Sequence, residues 1–404
     1  MNILMITTTY PRFEGDTAAP FIASIAESIV SLGNPVDMVL PFHPMLQAGE
    51  RRGVRLHPYR VPGDDREPLW GYAQSLDADV RLKRKVLLLA PLAMHKTYRK
   101  ALEVAADRRP DLIHAHWVLP NGFVGMRVAR KLGEPLVVSL HGSDMYLARK
   151  NRIYRAFAAR TLRAAAAVTA CSPDLMEQAQ EISGRRVELM EYGVETGDFR
   201  PAGGPAAGQS VFAVGRLVHK KGFLFLLDAF AKVHPYYPDS MLTIAGDGPL
   251  LVQLQDRAQA LGLAKFVSFP GNVDRTRLPE AFRRAAVVAV PSVTDEYGNR
   301  DGLPNVLLEA MSSGCAVVAS ALPGIQNVMR DCQEGIVVPE GNVDSLAGAL
   351  HMLLKDPDLR ARLGRIAREK AVAELSWSVK SRQMEALYRS VLHLPPREDE
   401  AKQP

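Results

Sequence analysis

Residues 211–222 read Val211-Phe212-Ala213-Val214-Gly215-Arg216-Leu217-Val218-His219-Lys220-Lys221-Gly222, a short apolar run that stops at a glycine and continues into a basic loop. Such a run, rich in valine and bounded by glycine, reads as a strand buried on both faces of a parallel sheet. Runs of the same kind recur along the chain, separated by longer amphipathic stretches: 2–7, 36–40, 111–116, 136–140, 167–171 and 187–191, then 241–245, 266–269, 287–290, 316–319 and 335–338. Strands alternating with helical stretches predict an α/β fold, and six strands in each half predict two similar doubly wound domains. The 404-residue length agrees, because single cores stop growing near about 250–300 residues. The stretch 197–208, dominated by Gly, Pro and Ala, reads as a linker. The expected domains are therefore 1–198 and 209–377, with a helix at about 378–392 that can pack back on the first domain and a polar, disordered tail at 393–404.

Composition narrows the classes. With 47% hydrophobic and 23% charged residues the chain is ordinary for a globular protein, neither disordered nor fibrous. Cys171, Cys315 and Cys332 are odd in number and form no Cys-x-x-Cys pair, which argues against a disulfide framework or a structural zinc and for a reducing cytoplasm. The amino terminus reads directly as a strand, without the basic region of an export signal. The apolar run 86–94 is half the roughly 20 residues of a membrane-spanning helix. The net charge of +6 is concentrated in the first half, and residues 81–100 hold seven basic side chains and no acidic one. A basic, apolar helix suits the surface of an anionic membrane, and equally a solvated basic face. No nucleic-acid motif accompanies it.

In open α/β sheets ligands bind beyond the carboxyl ends of the strands, so the chemistry belongs in loops such as Gly215-Arg216, Gly246-Asp247-Gly248-Pro249, Gly271-Asn272, Pro291-Ser292 and His141-Gly142-Ser143-Asp144. No Gly-x-Gly-x-x-Gly turn, phosphate-binding P-loop or His-Glu-x-x-His helix is placed to bind a dinucleotide, a nucleoside triphosphate or a metal, and no cofactor is expected. Arg216 and Lys221 can converge on a diphosphate, one as a planar fork and the other as a point charge. In Asp301-Gly302-Leu303-Pro304-Asn305-Val306-Leu307-Leu308-Glu309, Pro304 suits the first turn of a short helix over 305–313 that Gly314 closes. Its amino end can receive an anion, and Asp301 with Glu309 can accept hydrogen bonds from sugar hydroxyls. On a plainer reading Asp301 caps the helix and Glu309 is a surface charge.

Taken together these motifs resemble the retaining GT-B glycosyltransferases of glycosyltransferase family 4. The resemblance covers most of the chain, from the Thr9-Tyr10-Pro11 loop with Gly15-Asp16 to the acid, seven residues, glutamate signature of Asp301 and Glu309. It implies two Rossmann-like domains facing across a cleft and a nucleotide-diphosphate sugar as donor. It places Arg216 and Lys221 on the diphosphate, Glu309 on the ribose, and Asp301 with the backbone of Gly302, Leu303 and Pro304 on the transferred sugar. Asn272 and Val273 would lie near the base, Gly15 would approach the phosphate, and His141 would face the reacting sugar. Retention can proceed by a covalent carboxylate intermediate or by front-face attack within an ion pair; the resemblance favours the second, with the departing diphosphate taking the acceptor proton and no metal required.

Asp301 departs from the glutamate usual in the family, which leaves the donor sugar open. Tyr10, Arg12 and the loop from His116 to Asn121 are acceptor-side candidates, suited to a carbohydrate or a lipid-linked saccharide. Assembly of a cell-surface polysaccharide or glycolipid on the cytoplasmic face of a membrane is the expected role. A sugar-nucleotide epimerase, a phosphorylase and a non-catalytic glycan-binding subunit remain alternatives.

Overall fold

The computed structural model describes residues 1–16, 18–46, 49–61, 70–72, 76–77, 81–82, 84–201 and 208–397. Lys83, half of the expected linker (202–207) and residues 398–404 of the tail lie outside them. The chain divides into two compact units, Met1–Glu191 with the segment from Trp377 onward, and Tyr192–Ser376.

The first unit is built on β1 (Ile3–Ile6), β2 (Val36–Pro41), β3 (Gly49–Arg51), β4 (Val54–Tyr59), β7 (Leu112–His116), β8 (Leu136–Leu140), β9 (Ala167–Ala170) and β10 (Glu188–Leu189), while β5 (Leu76–Asp77) and β6 (Arg81–Leu82) pair separately. The order across the main sheet is β10-β9-β8-β7-β1-β2-β4-β3, parallel except for β3 at the edge. Every residue of β1, β2, β7 and β8 is buried, as sheets covered on both faces require. The second unit holds β11 (Ser210–Val214), β12 (Met241–Ala245), β13 (Val267–Ser268), β14 (Val287–Val290), β15 (Ala316–Ser320) and β16 (Ile336–Val338) in the order β13-β12-β11-β14-β15-β16, all parallel. This is the doubly wound 3-2-1-4-5-6 order. The same order runs through β4, β2, β1, β7, β8 and β9 of the first unit. Each sheet therefore reverses its winding once, between β1 and β7 and between β11 and β14.

The expectation of six strands in the first half is corrected to eight in its main sheet, since β3 and β4 were not foreseen. β4 reads Val54-Arg55-Leu56-His57-Pro58-Tyr59, too polar for an apolar run. Its polar atoms are satisfied across the pair: Arg55 donates to Asp37 of β2 at 2.9 and 2.7 Å, and His57 Nε2 lies 2.7 Å from the same carboxylate. Phe199, inside the stretch read as a linker, is 2% exposed. Its carbonyl accepts from Ser312 Oγ and Arg368, and its ring lies 5.8 Å from Phe282. Arg397, inside the tail expected to be disordered, donates to Leu32 O at 3.1 Å and to Glu385 at 2.9 Å. A buried carboxylate requires partners, and Glu385 finds them in Arg397 and in Asn34. Glu385 belongs to the helix Trp377–Val391, which packs on the helix Pro20–Ser31 of the first unit.

In the second unit the helix Pro357–Glu374, capped by Asp356 and opened by proline, crosses the turn at Gly314 through Gly364. A Cβ on Gly364 would stand 2.0 Å from the Gly314 carbonyl oxygen, a backbone atom that cannot rotate away. Alanine gains about 1 kcal/mol over glycine in a helix interior, against about 1–3 kcal/mol for overpacking, and so close a backbone contact puts the cost at the upper end. Gly364→Ala is therefore expected to lower the unfolding free energy by roughly 1–2 kcal/mol. The readout is an earlier urea midpoint at unchanged slope; an unchanged or later midpoint would contradict the close approach.

Candidate active site

The winding of the second sheet reverses between β11 and β14, and the loops leaving these two strands touch. Gly222 sits at φ +67°, and a Cβ there would fall 1.9 Å from the Pro291 carbonyl oxygen. Val293 N donates to Lys220 O at 2.8 Å across the same contact. The single 3₁₀ turn His219–Lys221 thereby directs both lysines toward Asp301. Lys221 Nζ lies 2.7 Å from Asp301 Oδ2, Lys220 Nζ 3.6 Å from Oδ1, and Ser292 Oγ donates to Oδ2 at 2.9 Å. Burial alone would raise the pKa of this carboxyl. The charges of Lys221 and Lys220 and the hydrogen bonds from Lys221 and Ser292 outweigh it, holding Asp301 well below the usual carboxylate range. Arg216 is exposed in the same loop.

Asp301 does not cap the following helix; it is spent on the lysines. Pro304 occupies the cap position with ψ 120°, one residue earlier than expected, and the helix runs Asn305–Ser312. Gly302, Leu303 and Pro304 are buried. Glu309, far from being a surface charge, is 5% exposed, and Arg275 Nη1 donates to its Oε1 at 2.7 Å. The Arg275 guanidinium lies 5.6 Å from the ring of Phe199. In the loop after β13, Asn272 is exposed and Val273 half-buried.

In the first unit the reversal between β1 and β7 gathers a histidine cluster. His114 lies in the middle of β7, His116 ends it and His141 follows β8. His114 is wholly buried, with Nε2 2.8 Å from Ser139 Oγ and Nδ1 2.7 Å from the hydroxyl of Tyr388. His116 Nδ1 lies 3.1 Å from His141 Nε2. The His141 ring is bordered by Trp117 at 4.8 Å and Phe21 at 5.0 Å. Trp117 has φ +68°, rare for a bulky side chain and a mark of imposed geometry. Asn121 Nδ2 donates to His116 O at 2.7 Å. Burial lowers the His141 pKa to about 3, with the neighbouring His114 adding to the effect, so the ring is neutral at ordinary pH. Arg12 is bound to Asp16 through Nε at 2.7 Å and Nη2 at 2.9 Å, which shapes the loop around Gly15 at φ +86°. Tyr10 is wholly buried.

Thus Lys221 and Asp301 are brought together, Glu309 follows about one turn into the helix, and His141 and Asn121 both meet His116. Lys220 and Arg275 were not singled out as site residues; Ser292 was read as part of a strand-end loop and His116 as the start of an acceptor-side loop. Lys220 stands beside Lys221 and Ser292 in a loop that strand topology already marked, whereas nothing in the spacing points to Arg275.

Comparison with known proteins bears on this arrangement. Residues 199–370 match the model of glycosyl transferases group 1, and residues 17–193 that of the glycosyl transferase 4-like domain. Phosphatidyl-myo-inositol mannosyltransferase of Mycolicibacterium smegmatis is 32% identical over 306 residues, covering 73% of this chain and 75% of that protein. Sucrose-phosphate synthase from Thermosynechococcus elongatus shares the fold with a TM-score of 0.78 at 22% identity, over 97% of this chain and 99% of that one. The Anabaena protein HepE in complex with UDP and glucose superposes with a TM-score of 0.73 at 19% identity, over 96% of this chain and 100% of its own.

The depressed pKa of Asp301 makes a prediction about acid stability. Its ion pairs stabilise the fold fully above the ordinary carboxyl pKa of about 4 and are lost as pH falls below it toward the lowered folded value. From about pH 4 to about pH 2.5 the unfolding free energy of the wild type should fall more steeply than that of Asp301→Asn, measured by urea titration at each pH. Parallel curves would show that the lysines do not hold this carboxylate in its charged form.

Proposed function

Because the chain belongs to the group 1 glycosyl transferases, with the GT-B fold, we propose that it moves a sugar from a nucleotide-diphosphate sugar to a carbohydrate or lipid-linked acceptor with retention of anomeric configuration. The observation that carries this reading is the convergence of Lys220, Lys221 and Ser292 on Asp301, where the second sheet reverses its winding. A diphosphate entering there draws Lys221 and Arg216 onto its oxygens and frees Asp301, with the backbone of Gly302 to Pro304, for the hydroxyls of the sugar. Glu309 takes the ribose and the loop at Asn272 and Val273 the base.

When the bond from the anomeric carbon to the diphosphate oxygen breaks, charge collects on the leaving group. The two cations and the amino end of the helix Asn305–Ser312 stabilise it there. The acceptor oxygen attacks from the same face and its proton passes to the departing diphosphate, so neither a protein base nor a metal takes part. HepE, solved with UDP and glucose, makes UDP-glucose the first donor to try. Lys221→Ala and Glu309→Ala should each lower turnover at least about tenfold, a loss of about 1.4 kcal/mol of transition-state binding, with the circular dichroism of a folded protein although each breaks an ion pair and brings the urea midpoint earlier. Near-normal turnover in both variants would overturn the donor site. Product analysis with and without acceptor separates transfer from epimerisation or phosphorolysis.

We further propose that the first unit meets an anionic membrane, through which a lipid-linked acceptor is reached. The helix Arg84–Arg108 leaves Leu88 83% and Leu92 37% exposed, with Lys96 and Arg99 exposed on the following turns. No helix among the described residues is long and apolar enough to cross a membrane. Apolar side chains with cations worth about 1 kcal/mol each near an anionic surface support peripheral contact. The expected result is co-sedimentation with phosphatidylglycerol vesicles, lost when Lys83, Arg84 and Lys85 are neutralised. Absence of binding at low salt would refute it.

A further inference from the structure

Residues 149–163 carry six basic side chains, Arg149, Lys150, Arg152, Arg155, Arg160 and Arg163, and no acidic one. Most of them lie on the helix Arg152–Ala164 of the first unit, which opens at Asn151, whose side chain accepts from Ile153 N at 2.9 Å and Tyr154 N at 3.0 Å. This helix buries Ala158, Ala159, Thr161 and Leu162. Its packing is thus met without Ile153 and Phe157, which stand one turn apart and are 71% and 45% exposed. Single apolar side chains on a surface need no explanation. These two form a pair, and Arg149, Arg152 and Arg160 lie exposed around them without an ion pair or side-chain hydrogen bond among the described residues. Arg155, by contrast, is spent on Glu181 at 3.0 Å.

The patch is continuous with the helix Arg84–Arg108. Phe157 meets the ring of Phe123 edge-on at 5.3 Å, and Phe123 opens the helix Phe123–Leu132. One turn further on, Arg127 lies over the ring of Tyr98 of Arg84–Arg108 at 4.8 Å. The helices Arg84–Arg108, Phe123–Leu132 and Arg152–Ala164 lead into β7, β8 and β9, so each runs against the strands and raises its amino end beside their carboxyl edge. Leu88, Leu92, Phe123, Ile153 and Phe157 all belong to those amino ends. We propose that the first half of the helix Arg152–Ala164 is a second contact with an anionic phospholipid surface, Ile153 and Phe157 entering the headgroup region while Arg149, Arg152 and Arg160 meet lipid phosphates. The proposal rests on the membrane contact put forward above and extends it to a second helix. Cations without acids around exposed apolar side chains are the complement of an anionic interface. Two helices in contact fix the tilt of the first unit, which one helix leaves free to roll, and they turn toward the lipid the edge where β7 ends in His116.

Co-sedimentation of the full chain with phosphatidylglycerol vesicles at low salt tests this. With the helix Arg84–Arg108 intact, the double variant Ile153→Ser, Phe157→Ser should bind at least about tenfold more weakly, and so should the triple variant Arg149→Gln, Arg152→Gln, Arg160→Gln. A second measurement places a bimane through Ile153→Cys in a Cys332→Ser background, Cys171 and Cys315 being buried. Doxyl-labelled lipid should quench it, and should not quench the same label placed through Lys131→Cys at the far end of the neighbouring helix. Undiminished binding by the folded double variant, or an unquenched label at position 153 on bound protein, overturns the inference and leaves the contact of Arg84–Arg108 standing. No binding by the wild type removes both readings. A lipid-free dimer that the double variant dissociates assigns the patch to a second copy of the chain and likewise overturns the inference.

Discussion

Parallel strands deliver their carboxyl ends to one edge of a sheet, and where the winding reverses, two neighbouring loops leave in opposite directions and open a crevice between them. This constraint places nearly every side chain discussed above. In the second unit the reversal sets the loop from β11 against the loop from β14, so closely that only glycine fits at position 222. In the first it sets the end of β1 beside the end of β7, where His116 and Trp117 emerge. The residues of each site are far apart in sequence because the topology, and not the local chain, brings them together.

Within the second crevice the controlling quantity is the cost of burying carboxylates. Asp301 and Glu309 are both withdrawn from water, and each is matched by a cation, Lys221 for the first and Arg275 for the second. On the proposed function, a ligand bearing phosphates and hydroxyls would enter by exchanging partners: its oxygens would replace carboxylate on the cations, and its hydroxyls would replace cations on the carboxylates. Most of the desolvation cost is already met in the folded chain, and the groups are oriented beforehand.

Much of this was legible in the sequence, for physical reasons that can be named. Strands buried on both faces must be continuously apolar, so β1, β8, β11 and β15 could be read directly. The signature from Asp301 to Glu309 could be read because proline and glycine punctuate it. β4 escaped because its stability depends on Asp37, a partner in another strand, and polar alternation without that partner looks like a loop. Phe199 escaped because a glycine- and proline-rich stretch does not reveal that a carbonyl within it is held by Arg368 and Ser312. Arg275 escaped because its place beside Glu309 is set by distance across the fold.

The helix Trp377–Val391 belongs to the first unit although the whole second unit precedes it in the chain. Tyr388, wholly buried, supplies the hydroxyl that meets His114, 274 positions earlier. On the ribosome, then, the second unit can finish folding while the first still lacks its closing helix and His114 is short of a partner. The order of synthesis thus runs opposite to the order of completion. The histidine cluster matures only when the last helix has emerged, so a chain truncated before Trp377 would keep the strands of its first sheet yet never assemble that cluster in full.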